Sequence, residues 1–242
     1  MTAAADTDPD LIARVAQTTD RIERLEHQGQ VVWVKREERL SLRMRLQKGA
    51  GASAFERERA ALHRLAGLDV PVPPILAEGP DFFMTPDSGV SLQTMVRDDL
   101  GADGERRAAF VAAAQGLAGL HARRISHGHP RLKDICWKDG RITFIDFERF
   151  SDKLNTPSGH ARDLATFVFS AIAEAGGPTG DLDAARDAYR TADEQGIWER
   201  TRTLVRRLRF IDWLTKPLQF RPDGKSREFK AIPATLRYFE RG

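Results

Sequence analysis

The residues whose types and spacing can do chemistry fall between His127 and Glu148, in the stretch HGHPRLKDICWKDGRITFIDFE. A loop from His127 to Asp134 runs into an apolar strand, Ile135-Cys136-Trp137, and a second strand, Ile142-Thr143-Phe144-Ile145, delivers Asp146-Phe147-Glu148. Lys138-Asp139-Gly140 between them supplies a reversal, because Asp-Gly accommodates the positive φ angles of a tight hairpin. Asp134 and Asp146 are thereby expected at neighbouring strand ends. Two hard oxygen donors at such a spot suit a divalent cation on a nucleotide's phosphates.

Several elements are available to position these groups. Arg21 to Glu37 alternates around His27-Gln28-Gly29-Gln30, which predicts a hairpin whose second strand, Val31-Val32-Trp33-Val34, ends on Lys35. A lysine at a strand end on its own reads as a solvated side chain. A helical stretch interrupted near Gly49-Ala50-Gly51 resumes as Phe55 to Leu65, with Phe55, Leu62 and Leu65 on one face. Leu68 to Leu76 carries three prolines (Pro71, Pro73 and Pro74), which remove donors and hold their predecessors extended. Asp81 to Asp87 reads as a strand, and Ser91 to Val96 opens the next part of the chain. Glu105 to Arg123 is an amphipathic helix with Phe110, Ala114, Leu117 and Leu120 in one stripe, leading straight into the His127 loop. A short helix is expected at Asp8 to Val15.

The order histidine, loop, polar residue, hairpin, D-F-x resembles the catalytic and metal loops of protein-kinase-like phosphotransferases. His127-Gly128 is similar to the opening of that loop in aminoglycoside phosphotransferases and bacterial lipopolysaccharide core (Kdo/heptose) kinases. The resemblance spans roughly Arg21 to Ala173. It implies an α+β, bilobal protein-kinase-like fold: a small antiparallel-sheet lobe over residues 1–87 and a mainly helical lobe over 88–242. It also implies roles. Lys35 neutralises phosphates of ATP, Glu58 orients Lys35 with Glu56 as the fallback, and backbone groups from Thr85 to Asp87 hold the adenine edge. Asp146 and Asp134 bind Mg²⁺, Arg131 balances charge on the moving phosphoryl group, and His127 braces the loop. Asp163 resembles the aspartate that starts the central helix of the second lobe.

The chain also departs from the pattern. His129 stands where the family has its base aspartate, and an imidazole that titrates near neutrality can take that role. Asp134 replaces an asparagine. No glycine-rich loop precedes Lys35, since Gly29 is the only glycine before Gly49. Only a short segment separates Asp146 from His160 to Ala165, with no A-P-E element, which disfavours a polypeptide acceptor. Two readings follow: an ATP-dependent phosphotransferase of the lipopolysaccharide-kinase type acting on a sugar or glycolipid hydroxyl, or a pseudokinase that binds a nucleotide or a partner without turnover.

Composition bounds both. Apolar residues make up 41% and charged residues 30%, enough for an ordinary core. The single cysteine, Cys136, excludes an internal disulfide and reads as a buried strand residue. The acidic start, MTAAADTDPD, lacks the pattern of a secretory signal, and no apolar run reaches the roughly 18 residues of a membrane span. The expectation is a cytoplasmic chain, peripheral at the inner membrane face. Residues 199–242 hold 12 Lys/Arg against 5 Asp/Glu, a balance of +7, which leaves 26 against 30 for residues 1–198. That basic end suits an anionic sugar or glycolipid, whereas nucleic acid is disfavoured for lack of a repeated motif or stacking platform. The plainer alternative is a solvated helix face carrying Arg206, Arg207 and Arg209, with Leu204, Val205, Leu208 and Ile211 on its core side. Trp198 to Trp213 is expected to be one helix, and Lys216 to Gly242 mixed loop and short helix.

Overall fold

The computed structural model describes residues 15, 20–37, 51–101, 104–219 and 227–241, with backbone alone at 51–53. Of the helix expected at Asp8 to Val15, only Val15 lies within the described residues. The chain is α+β, with a small antiparallel sheet and a mostly helical remainder. It forms two compact units. The first runs to Ser88 and also takes in Asp146–Arg149; the second comprises Gly89–Ile145 and the residues from Phe150 onward.

In the first unit, strand β1 (Ile22–His27) pairs antiparallel with β2 (Gln30–Arg36), Leu25 opposite Val32. The turn between them is two residues long. Gln28 and Gly29 hold φ of 50° and 74°, the left-handed pair that matches the twist of a hairpin. Helix α1 (Gly51–Leu65) follows, then the short β3 (Ala77–Glu78) and β4 (Phe82–Pro86), giving sheet order β1-β2-β4-β3. Leu25, Val32, Val34, Ala77 and Met84 form its core, with Val15 and Phe82 packed against it. Phe55, Leu62 and Leu65 of α1 are buried as their spacing predicts, and the Phe55 ring stacks on Phe83 at 5.3 Å. Glu58 lies one turn beyond Phe55 on the same buried face.

In the second unit, β5 (Val90–Ser91), β6 (Ile135–Lys138) and β7 (Arg141–Phe144) make a three-stranded antiparallel sheet. Asp139 and Gly140 turn β6 into β7 with φ of 49° and 77°, as the Asp-Gly pair requires. Ser91 caps α2 (Leu92–Arg97) by accepting the Thr94 backbone N–H. Helices α3 (Glu105–Ala122), α4 (Pro157–Ala175), α5 (Gly180–Ala192), α6 (Ile197–Arg207), α7 (Phe210–Gln219) and α8 (Arg227–Arg241) complete the unit. The α3 stripe Phe110, Ala114, Leu117 and Leu120 is fully buried, and Trp198 of α6 packs on Phe239 of α8 at 5.0 Å.

Two sequence expectations fail here. Trp198 to Trp213 is not one helix: Leu208 and Arg209 form a turn between α6 and α7, and of the proposed core side only Val205 is buried. In place of the short helix expected after Lys216, α8 runs for 15 residues with Pro233 inside it. Its buried side, Ala231, Thr235, Tyr238 and Phe239, offsets the hydrogen bond that the proline removes. No helix among the described residues is long and apolar enough to cross a membrane.

Candidate functional site

Within the first unit, four residues from three separate stretches meet. Lys35 stands near the end of β2, and its ammonium donates to a Glu58 carboxylate oxygen on the buried face of α1. It also lies 3.3 Å from Asp146 Oδ1 and 3.3 Å from Glu148 Oε1. The Lys35 side chain is 16% exposed and that of Glu58 is 5% exposed, so water screens their interaction little. Glu56, the fallback partner, is exposed and pairs with Arg59 at 2.7 Å.

The Asp146 backbone adopts φ of 67°, in the left-handed region that an aspartate tolerates better than most residues. From it the chain enters a single helical turn, Phe147–Arg149, with Phe147 fully buried. Arg57 of α1 donates to the Glu148 carbonyl at 3.0 Å, which ties this turn to the helix that carries Glu58. The turn aims the Glu148 carboxylate back at Lys35, where Arg21 also reaches it at 2.5 Å.

Lys35 and Arg21 together face the three carboxylates. All three meet the Lys35 ammonium, and both members of the buried pair shift upward, for different reasons. Burial is the main reason that Glu58 is pushed up to about 7; Lys35 opposes that rise, while Asp146 and Glu148 add to it. Burial by itself would lower Lys35, but Glu58, Asp146 and Glu148 outweigh it and hold the amine above its ordinary value. Glu58, Asp146 and Glu148 each bring a carboxylate oxygen within 4.8 Å of the other two. An all-oxygen donor set of this kind suits a hard divalent cation such as Mg²⁺. Asp146 and Glu148 are the residues that would hold it, with Glu58 committed to Lys35.

The expected adenine edge also lies in the first unit. Thr85 pairs with Trp33 across the sheet. The Asp87 backbone N–H donates to the Val31 carbonyl at 3.0 Å, and its carboxylate accepts the Trp33 indole N–H at 3.0 Å. Those Asp87 groups are thus occupied by the sheet.

The loop expected to be catalytic belongs to the second unit, and helix α4 sets its shape. Asp163 accepts the backbone N–H groups of His127 at 2.7 Å and Gly128 at 3.0 Å, and the Ser170 hydroxyl accepts that of Leu132 at 3.0 Å. His127 is fully buried and its Nε2 donates to the Ile145 carbonyl at 3.0 Å, the bracing role read from the sequence. Asp134 is buried within the same loop, accepting the Arg131 N–H at 3.4 Å, with the Lys133 ammonium at 3.1 Å. Behind Asp163, the rings of His121 and His160 stack at 4.5 Å. Burial, and then His121, hold His160 down to about 4, so it stays neutral near pH 7.

Arg131 is held by α8, donating to Glu228 Oε1 at 2.6 Å. It shares with His129 the wall of a cavity of about 360 Å³ whose remaining lining is mainly apolar, including Phe169, Leu208, Ile211 and Ile232.

Sequence reasoning brought out Lys35, Glu58 and Asp146 but gave Glu148 no role. Its position two residues after Asp146 was the one available signal. Arg57 and Arg21, which fix the turn and its carboxylate, carried no signal, nor did the pairing of Arg131 with Glu228, 97 residues apart.

No family model matches the chain. It is 26% identical over 207 residues to an uncharacterized protein of Haemophilus influenzae, a similarity that covers 86% of this chain and 85% of that protein.

Proposed function

We propose that this chain is an ATP-dependent phosphotransferase of the lipopolysaccharide-kinase type, with a bilobal protein-kinase-like architecture, moving a phosphoryl group to a sugar or glycolipid hydroxyl. One observation carries the reading: Lys35 meets Glu58, 23 residues away, and Asp146, 111 residues away, in a partly buried group. A buried amine ringed by acids is a costly arrangement for stability alone, and a phosphate-bearing ligand gives it a use.

In this account Lys35, oriented by Glu58, neutralises the phosphates that stay on the nucleotide. Asp146 and Glu148 would hold Mg²⁺, in place of the Asp146 and Asp134 pair expected from the sequence, and the ion when bound would offset charge on the phosphates. His129 accepts the proton of the acceptor hydroxyl, and Arg131 balances charge on the phosphoryl group. A loose transition state asks little of its base, so an imidazole is adequate there. The apolar cavity beside His129 and Arg131 suits an acceptor with a greasy portion. A glycolipid of this kind puts the protein at the cytoplasmic face of a membrane.

The second reading, a pseudokinase that binds nucleotide without turnover, is favoured by the two-residue turn at Gln28-Gly29, which provides no loop to cover phosphates. Turnover separates the two. In a transfer assay with labelled ATP and a hydroxyl-bearing glycolipid, His129→Ala is expected to lower kcat by about a hundredfold and leave nucleotide affinity unchanged. ATP binding with no transfer by the wild-type protein would favour the second reading.

A further inference from the structure

Helix α7 carries an apolar stripe that faces water. Ile211, Thr215 and Leu218, at i, i+4 and i+7, are half-buried, and Ile211 lines the cavity beside His129. Phe210, Trp213, Leu214 and Pro217, at i, i+3, i+4 and i+7, make a second stripe on which every residue is exposed. Phe210 is 57% exposed, Trp213 71% and Leu214 57%, and α7 contains no buried residue at all. A helix on the surface of a globular protein ordinarily turns charged or polar side chains outward.

Here the charges flank the apolar stripe. Arg206, Arg207 and Arg209 precede it in sequence and Lys216 lies between Leu214 and Pro217, all exposed. Asp212 keeps its charge while its Oδ1 accepts the Gln219 amide at 2.9 Å, and Glu240 pairs with Arg209 at 2.9 Å, so Arg206, Arg207 and Lys216 are the cations that carry the attraction to an anionic surface. An apolar stripe with an exposed tryptophan and a rim of arginine and lysine is the pattern of a helix lying in a bilayer interface.

We infer that α7 docks the protein on an anionic lipid bilayer, with Phe210, Trp213 and Leu214 entering the acyl boundary and the arginines meeting lipid phosphates. Charge decides against a second copy of this chain as the occupant. A twofold pairing of the patch would crowd Arg206, Arg207 and Lys216 against their own copies, whereas anionic headgroups attract them. Nucleic acid would stack on Phe210 and Trp213 but leave Leu214 and Pro217 in water, whereas an acyl boundary buries all four. The inference does not depend on nucleotide handling in the first unit, and its test reads binding alone.

The test is flotation of the full chain with phosphatidylcholine vesicles made with and without phosphatidylglycerol. Emission of Trp213, the most exposed tryptophan, serves as the second readout. The wild-type protein is expected to float with the anionic vesicles, with a blue shift in emission, and to stay behind with the neutral ones. Phe210→Ser combined with Leu214→Ser is expected to weaken binding by at least about tenfold. Arg206→Glu with Arg207→Glu is expected to do so by roughly tenfold. These side chains are exposed, so the melting temperatures should stay near the wild-type value, which confirms that the variants are folded. Failure to float with anionic vesicles would overturn the inference, as would binding unaffected by the apolar pair of substitutions. A concentration-dependent dimer dissolved by that same pair would overturn it in favour of self-association.

Discussion

Replacing Lys35 by methionine is expected to reduce phosphoryl transfer by at least about a hundredfold while the protein stays folded. Methionine keeps much of the stem's length and apolar contact, so packing around β2 and α1 changes little. What disappears is the ammonium that touches Glu58 and lies 3.3 Å from both Asp146 Oδ1 and Glu148 Oε1. Glu58 is already pushed up to about 7 by burial, and without Lys35 it rises further and stays protonated at neutral pH. A protonated Glu58 leaves no buried, unpaired charge, which is why the fold should tolerate the change. Transfer measured with labelled ATP, beside a thermal melt, separates loss of function from loss of structure. Wild-type transfer in the variant would remove Lys35 from the account.

Glu58 also sets a pH dependence whose sign is opposite to that of an ordinary paired carboxylate. Its folded-state value of about 7 lies above the ordinary 4.5. Below about 4.5 it is protonated in both states and contributes no difference. As pH rises from there toward 7, the unfolded chain gives up this proton while the folded chain keeps it, so stability falls across that window and then levels off. The full shift corresponds to at most about 3 kcal/mol. Glu58→Gln removes the titration. Chemical denaturation at pH 5 and pH 7.5 should therefore show the wild type losing more stability than the variant over that interval. Parallel behaviour of the two proteins would contradict a protonated, buried Glu58.

The parts of the fold that were legible in the sequence are those fixed by local chemistry. Gln28-Gly29 and Asp139-Gly140 announced two hairpins because a two-residue turn needs positive φ at both positions. The α1 face was legible because Phe55, Leu62 and Leu65 repeat at helical spacing. Lys35, Glu58 and Asp146 could be picked out by their order along the chain. Glu148 could not, since only the turn Phe147–Arg149, tied to α1 by Arg57, directs its carboxylate to Lys35.

The helical end of the chain shows the other limit. Nothing at Leu208-Arg209 marks a helix break: neither glycine nor proline is present, and the leucine continues the amphipathic pattern of α6. Only a short helix was expected after Lys216, yet α8 forms across Pro233 because burying Tyr238 and Phe239 outweighs one missing backbone hydrogen bond. The outward stripe of α7 was hidden for the same reason. In sequence, Leu204, Val205, Leu208 and Ile211 make up a core side and Phe210, Trp213 and Leu214 have no assigned role, and the exposure of those three is visible only in the fold.

The central claim is that the carboxylates around Lys35 serve a metal-bound nucleotide. Thermal stability measured with ATP, with and without Mg²⁺, on the wild-type protein and on Asp146→Asn tests it most directly. The account predicts that ATP with Mg²⁺ raises the wild-type melting temperature, that omitting Mg²⁺ removes most of the rise, and that Asp146→Asn abolishes the Mg²⁺-dependent part. A wild-type melting temperature that does not move with ATP and Mg²⁺, or a rise that persists unchanged in Asp146→Asn, would contradict it.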